Sequence, residues 1–454
     1  MTTVTLVYPY FRPSNDRLIF RFPPLGLGYI AAYLRKHNLS VDLVDCTFLN
    51  QEEALEKVRC SDPKIIGIYS MFSMKNEAIR LAKLLRGNCE LLVAGGPLPA
   101  LRPEDFLQDF DVVAVGEGED TMLELVRNVD KGADFSRVRG IIYREKIKGK
   151  IRSTPPRGFI RNVDSIPFPA RELFDNKAYM NYYSKKFGYT ITSMITSRGC
   201  PFNCDFCSRP VFGNQFRARS ATNVVDEIET VLALGYDRIW FADDCFTLNR
   251  KRLIEICNEI IQRHTKIDWE CLSRVDTIDR EMAEKMKQAG CVRVFFGMES
   301  GSDSVLALMK KQATTRQAKE AVQAAKKSGI QVGAFFIVGY PGETDETVLD
   351  TLRFASSLPL DYLSFTLPYP ILGTPLYDRV KNEIIVNDWE EPKHLPLIGH
   401  KLLYRSYFSE AKLKFAILKG TAQFGLRKYL RANIYNLVGT PFKSLTDFVF
   451  KLMR

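Results

Sequence analysis

Short apolar runs alternate with longer amphipathic stretches along the first 130 residues. The runs cover residues 4–8, 41–44, 65–69, 91–94 and 112–115, with helix-like segments at 25–37, 76–85 and 103–110. Runs of four to six apolar residues suit strands buried on both faces of a parallel sheet. The alternation predicts a doubly wound α/β domain over residues 1–130. Ligands of such sheets bind beyond the carboxyl ends of the strands. Gly95-Gly96-Pro97 and Gly116-Glu117-Gly118-Glu119 lie there.

Residues 131–190 are mixed and rich in turn residues, and predict a linker with a small β excursion. A second alternating series follows. Its strands are expected at 191–196, 238–241, 269–272, 292–297, 332–338 and 362–367, and its helices at 223–234, 252–263, 280–289, 315–328 and 346–356. Six β/α units of this length predict a partial (β/α)6 barrel over residues 191–375. Residues 376–454 turn helical and basic. No internal repeat or low-complexity tract interrupts the chain.

Composition adds constraints. Hydrophobic residues make up 46% and charged residues 26%, as in ordinary soluble globular proteins. The start, MTTVTLVYPYF, has no basic segment followed by a long apolar stretch, so no signal peptide is expected. No run of 18 apolar residues predicts a membrane span. Ten cysteines without a small secreted framework point to a reducing, cytoplasmic setting. There a tight cysteine cluster reads as metal binding or catalysis. The net charge of +11 is concentrated: from Lys401 to Arg454, eleven Lys or Arg stand against Glu410 and Asp447.

The strongest motif is Arg198-Gly199-Cys200-Pro201-Phe202-Asn203-Cys204-Asp205-Phe206-Cys207. Three thiolates at this spacing can converge on one metal centre, and soft thiolates favour iron–sulfur or zinc. A structural zinc normally takes four protein ligands. No fourth Cys or His lies nearby, which leaves one metal position open. Three unrelated buried cysteines or a zinc knuckle would leave that open position unexplained.

The spacing, with aromatic Phe206 before the last cysteine at the end of a first barrel strand, resembles the radical S-adenosylmethionine (SAM) signature. The resemblance implies a 4Fe–4S cluster on Cys200, Cys204 and Cys207 whose open iron binds SAM, and reductive cleavage of SAM to a 5′-deoxyadenosyl radical. Later strand ends match the family in order. They are Trp240 to Thr247, with Asp243 and Asp244 near the SAM amino group; Cys271 to Asp276, with Arg274; Phe296 to Gly301, with Glu299 and Ser300; and Phe336 to Thr344, with Val338 and Gly339. Taken singly, Asp244, Asp276 and Ser300 also read as helix caps or turn residues. No further catalytic residue is singled out.

The segment Pro24-Leu25-Gly26-Leu27, with Ser70, Gly95-Gly96-Pro97 and Gly116-Glu117-Gly118, resembles the Rossmann-like cobalamin-binding domain fused to many radical SAM enzymes. It implies cobalamin as a third cofactor. Gly95 and Gly96 would admit backbone close to its nucleotide tail. Ser70 would donate a hydrogen bond there, and Pro24, Leu25 and Leu27 would form an apolar floor. Many cobalamin proteins ligate cobalt through D-x-H-x-x-G. Here Asp45 is followed by Thr47 and Asn50, and His37, His264, His394 and His400 offer no clear substitute. Cobalamin without a histidine ligand is therefore expected.

This resemblance implies methylation of an unactivated carbon through the 5′-deoxyadenosyl radical and methylcobalamin, with an external electron donor such as a flavodoxin or ferredoxin. Radical rearrangement or oxidative cyclisation is the alternative with the same cofactors. A methylthiotransferase with a second cluster on Cys46, Cys60 and Cys89 and a non-catalytic cobalamin sensor remain as further readings. The intact cysteine triplet speaks against the sensor. The basic stretch 411–437 suits either helices packed on the barrel or peripheral contact with the inner membrane surface. Gly420 and Gly425 are expected to interrupt any long helix there. Membrane contact would favour a lipid-like substrate such as an isoprenoid, hopanoid or porphyrin. Nucleic acid is not expected as a partner.

Overall fold

The computed structural model describes residues 2–11, 21–129, 134–145, 149–386, 401–430 and 432–453. The chain falls into two compact units. The first comprises the residues up to 201 and 209–238; the second comprises 202–208 and the described residues from 239 onward.

The first unit runs β1 (Thr2–Tyr8), α1 (Leu25–Lys36), β2 (Val41–Asp45), α2 (Gln51–Cys60), β3 (Pro63–Tyr69), α3 (Lys75–Leu85), β4 (Leu91–Gly95), α4 (Pro103–Phe106), β5 (Val112–Ala114) and α5 (Glu119–Val129). It continues with β6 (Ile141–Arg144), β7 (Ile151–Ser153), α6 (Asn176–Phe187), β8 (Ile191–Met194), β9 (Ser197–Arg198), β10 (Arg217–Ala218) and α7 (Ala221–Ala233). Its main sheet has the order β2-β1-β3-β4-β5-β6-β7. The first five strands are parallel and the last two antiparallel. Alternate strand residues feed two cores. Leu6, Ile65, Val93 and Ala114 pack with Leu27 and Ala31 of α1 and Leu125 of α5. Val7, Ile66, Leu92 and Val113 pack with Ala54 of α2 and Leu81 of α3. Because both faces are buried, the strands read as unbroken apolar runs.

Helices α2, α5 and α6 are additions to the expected pattern. Asn50 starts α2 through a reciprocal cap: its side chain accepts from Glu53 N at 3.0 Å, and its own N–H donates to Glu53 at 2.8 Å. Within 131–190, expected as a linker with a small β excursion, the described residues include two strands. Strands β6 and β7 extend the sheet, and Ala170 N donates to Gly28 O at 3.0 Å. A Cβ on Gly28 would sit 2.7 Å from the Phe174 ring. Glu227 of α7, fully buried, pairs with Arg171 at 2.6 Å and with Arg219.

The second unit runs β11 (Arg238–Phe241), α8 (Arg250–Gln262), β12 (Asp268–Ser273), α9 (Arg280–Gln288), β13 (Cys291–Glu299), α10 (Asp303–Leu308), α11 (Thr315–Lys327), β14 (Gln331–Ile337), α12 (Asp345–Ser357), β15 (Tyr362–Thr366), α13 (Pro375–Val380), α14 (Glu410–Tyr429) and α15 (Ala432–Leu452). Strands β11 to β15 follow one another in sequential order, parallel from β12 to β15. Each β/α step thus advances one strand, as a partial barrel requires. The expected α/β class, with a doubly wound sheet, a β/α barrel series and a helical C-terminal region, is the observed one.

Gly420 and Gly425 do not interrupt the tail: α14 runs unbroken through both. A Cβ on Gly420 would meet Leu352 of α12 and Phe365 of β15 at 2.8 Å, whereas Gly425 has nothing within 4 Å. Close packing on α12 and β15 offsets the helical cost of Gly420. The two glycines should therefore respond oppositely to alanine. Gly420→Ala should destabilise by about 1–3 kcal/mol through overpacking. Gly425→Ala should stabilise by roughly 0.5–1 kcal/mol through helix propensity. Denaturant unfolding of both variants, with a shared sign as the contrary result, checks this.

Beyond β14 the chain turns sharply at Gly339, at φ +83°. Glu343 closes the turn, accepting from Gly339 N at 2.7 Å and Tyr340 N at 2.8 Å. Its other oxygen is buried without a hydrogen bond. Burial pushes the carboxyl up to about 7, against the pull of the two backbone N–H groups. An acid raised on folding stabilises fully below its unfolded pKa, and that contribution is lost as pH rises through the folded value. Between about pH 5 and 8 the parent should therefore lose roughly 2–4 kcal/mol relative to Glu343→Gln. Melting temperatures of the two across that window are the measurement; parallel curves are the contrary outcome.

Candidate active site

A cavity of about 110 Å³ opens at the carboxyl ends of β1, β3, β4 and β5, beneath α1. It lies where the strand order reverses, the place at which doubly wound sheets take ligands. Its wall includes Leu6, Gly67, Tyr69, Val93 and Ala114 from the sheet, Met122 from α5, and Leu27, Tyr29 and Ile30 from α1. Gly26, Gly95, Gly96, Gly116, Glu117 and Gly118, all expected at a cobalamin, complete it. A Cβ on Gly26 or Gly95 would meet nothing within 4 Å, so bare backbone faces open space there. Gly96, at φ +101°, has no such room: a Cβ would sit 2.6 Å from Ser70 O. The volume suits one ring-sized group, since an apolar cavity of about 150 Å³ takes benzene. A cofactor's nucleotide tail fits that size better than its macrocycle. Burial pushes the Tyr69 hydroxyl up to about 12, so it stays neutral.

Four expected residues stand outside this wall. Pro24 sits at the N-cap of α1. Leu25 packs into a separate cluster with Val163, Ile166 and Phe174. The Ser70 hydroxyl approaches Met71 O at 3.4 Å, and Pro97 is half-buried.

Thr47, at the position of the usual ligand histidine, turns into protein. Its hydroxyl donates to Asp45 at 2.6 Å, and Tyr179 OH donates to the other Asp45 oxygen at 2.7 Å. Burial raises the Asp45 carboxyl. Tyr179, on the unforeseen α6, has no motif to announce it. His37 and His264 are exposed; His394 and His400 lie outside the described residues. Cys46 is buried, Cys60 exposed and Cys89 half-buried. Among the described residues they form no metal-holding group.

Four wall residues lie at or beside the cysteine motif: Ile195, Arg198, Val211 and Phe212. Sequence reading placed none of them at this cavity. Arg198 is buried and donates to Glu117 at 2.9 Å and Glu119 at 2.5 Å. Arg217 joins Glu117 at 2.8 Å. Two cations thus balance two anions in a dry setting, the condition under which buried charge persists. Arg209 donates to Cys200 O at 2.6 Å.

The second unit carries the remaining motif residues. None of the three motif cysteines forms a disulfide; Cys200 belongs to the first unit, Cys204 and Cys207 to the second. Among the described residues no three His, Cys, Asp or Glu side chains stand together as a metal-holding group. The donor set itself, three cysteine thiols, suits iron–sulfur. Asp205 ties the loop down, pairing with Arg379 at 2.5 Å and Lys310 at 3.1 Å. Arg274 approaches Cys204 Sγ at 3.8 Å. It also holds Asp276 through two bonds, at 2.9 and 2.8 Å, donates to Lys311 O at 2.6 Å and lies 3.5 Å over the Phe202 ring.

Glu299 ends β13 at φ +66°, beside a register slip between Gly297 and Glu299. A non-glycine residue there costs backbone strain, which clusters at functional sites. Its carboxylate pairs with Lys311 at 2.8 Å. Asp243 is buried at the end of β11, Asp244 exposed and Phe206 half-buried. Ser300 bonds Thr351 at 2.9 Å and accepts from Ser302 N at 3.1 Å. Val338 N donates to Thr366 O at 2.9 Å. The cap alternative fails: Asn249 caps α8 and Asp279 caps α9, while Ser302 occupies the N-cap position of α10. Asp244, Asp276 and Ser300 are therefore not N-caps, while Asp276 does lie in a turn. Lys311, Thr351 and Glu343 went unforeseen, since lone polar residues in helices and turns carry no spacing signal.

Comparison with known proteins agrees with this geometry. Residues 194–355 match the model of the radical SAM superfamily, and residues 17–126 that of the B12 binding domain. An uncharacterized methyltransferase of Pyrococcus horikoshii, PH0819, is 37% identical over 86% of this chain and 85% of its own. The anaerobic magnesium-protoporphyrin IX monomethyl ester cyclase of Rubrivivax gelatinosus is 30% identical over 86% of this chain and 72% of its own. The structure of the radical SAM methyltransferase TsrM from Kitasatospora setae, with cobalamin and a [4Fe-4S] cluster bound, shares the fold. Its TM-score is 0.71 at 20% identity, covering 84% of this chain and 75% of that one. The chain belongs to the radical SAM superfamily, in the group that also carries a B12 binding domain, and is an enzyme whose cofactors are a 4Fe–4S cluster, SAM and cobalamin.

Proposed function

We propose that the enzyme methylates an unactivated carbon of a small molecule. One observation carries this: a single cavity is walled by the glycine turns of the B12 binding domain and by the residues flanking Cys200. A cofactor tail seated there lies beside the segment that bears a cluster ligand. When bound, the cluster supplies the electron that cleaves SAM, and cobalamin carries the methyl group. The chain's own residues do the rest. Thr47, turned into Asp45 and Tyr179, offers cobalt no protein ligand, in keeping with methyl transfer. Arg274 and Asp205 orient the cysteine loop. We assign to SAM the strand ends bearing Phe206, Asp243, Asp244, Arg274, Glu299, Ser300, Val338 and Gly339. The strained Glu299 and the sharp turn at Gly339 support that assignment. The electron would come from a flavodoxin or ferredoxin. Cyclisation is the second reading, supported by the likeness to the protoporphyrin ester cyclase.

Anaerobic incubation of reconstituted enzyme with methyl-labelled SAM and a cell extract decides between them. Label should reach extracted cobalamin and then a small-molecule product. 5′-Deoxyadenosine without label in any product would favour cyclisation. Cys204→Ala should lose the cluster and lower 5′-deoxyadenosine formation at least 100-fold; unchanged cleavage would overturn the ligand assignment.

No helix among the described residues is long and apolar enough to cross a membrane. We also propose peripheral lipid contact, through α15. Leu445, Phe448, Val449 and Leu452 are exposed at 63%, 61%, 36% and 65%. Their spacing puts them on one helical face. The basic groups are largely engaged: Lys412, Lys414, Lys419 and Lys451 pair with Asp345, Glu410, Asp447 and Glu346. Apolar insertion would therefore dominate, at about 1.5–3 kcal/mol for each large side chain fully buried. Binding to liposomes should survive 0.5 M salt and fall roughly tenfold or more in Phe448→Glu. Equal sedimentation of parent and variant would leave the face without this role.

A further inference from the structure

We infer that Arg198 is a positioning residue that couples cobalamin binding to cluster assembly at Cys200, with Glu117 as the carboxylate shared by both sites. This rests on the reading of the first-unit cavity as the cobalamin site. The contacts form one continuous path. Glu117 lines the cavity, and its second oxygen accepts from Ile160 N at 2.7 Å. Its first oxygen holds both Arg198 and Arg217. These two arginines face each other across the β9–β10 pair.

Between those strands the chain passes through Cys200 and returns along residues 209–217. This returning arm has two duties. Val211 and Phe212 wall the cavity, and Phe212 lies 5.0 Å from the Arg198 guanidinium. The same arm holds the cysteine turn. Arg209 donates to Cys200 O at 2.6 Å, and Cys200 N donates to Gly213 O at 3.4 Å. Gly199, at φ +83°, is so close that a Cβ would sit 2.3 Å from Gln215 O. The turn cannot shift without moving the arm.

Two ligands that order one segment share its ordering cost, so each tightens the other. The factor must be the same in both directions. Removing one partner of the ion cluster leaves charge buried and unpaired, which loosens the arm.

Hydroxocobalamin binding to the full chain, measured anaerobically by absorbance with the cluster reconstituted and with it removed by chelation, tests the inference. The dissociation constant should be about tenfold lower with the cluster present, within the usual range for coupled sites. Arg198→Lys and Glu119→Gln should bring that ratio to within threefold of one. Val211→Ala, in the wall but outside the ion cluster, should weaken binding equally in both states and keep the ratio. The electron paramagnetic resonance signal of the reduced cluster should change on adding hydroxocobalamin to the parent, and less so in Arg198→Lys. A parent ratio within twofold of one, or an unchanged ratio in both variants, overturns the coupling. If Arg198→Lys does not fold, the parent ratio and Glu119→Gln still decide. Absence of hydroxocobalamin binding in either state would instead overturn the cofactor reading of the cavity.

Discussion

A guanidinium removed from water must meet carboxylates, and in the first unit that requirement falls on Arg198. It sits at 3% side-chain exposure against Glu117 and Glu119, also buried, with Arg217 completing the balance. Charges so placed bring little net stability over well-packed apolar groups, but they are costly to separate. The consequence is geometric. The glycine turn after β5 and the turn that presents Cys200 are held in one arrangement. The cavity beside them has a wall contributed by both parts of the chain.

In the second unit, buried polar side chains gather where parallel strands end. That is the general property of such sheets, because strand ends offer unpaired backbone groups and loops free to vary. The ends here are not relaxed. Glu299 adopts a left-handed backbone at a register slip, and Gly339 turns with its N–H held by a buried carboxylate. Neighbouring pairs over-determine both positions: Lys311 for Glu299, Tyr340 N–H for Glu343. The strain at Glu299 persists only because surrounding contacts offset it.

Much of the fold was legible because burial on both faces leaves a simple mark. The runs at 65–69 and 91–94 are apolar throughout since each strand feeds two cores. The missed elements lacked that mark. Helix α6 is rich in Tyr and Lys and buries chiefly Tyr179 and Tyr183, so its pattern reads as polar. The error at Gly420 had a different source. Local propensity disfavours glycine in a helix, yet close contact with Leu352 and Phe365 needs it, and propensity is a weak prior against packing.

The sequence alone determined the two sheet types, the cysteine triplet with its open fourth position, and the absence of a histidine in the Asp45–Asn50 stretch. All three are local: periodicity and spacing survive in one dimension. Only the tertiary structure decided which glycines face the cavity, that Leu25 turns away from it, and that Thr47 is committed to Asp45 and Tyr179. It alone brought Arg198 to Glu117, 81 positions away in the chain. Such pairings rest on desolvation and distance in space, and neither quantity is written in the order of residues.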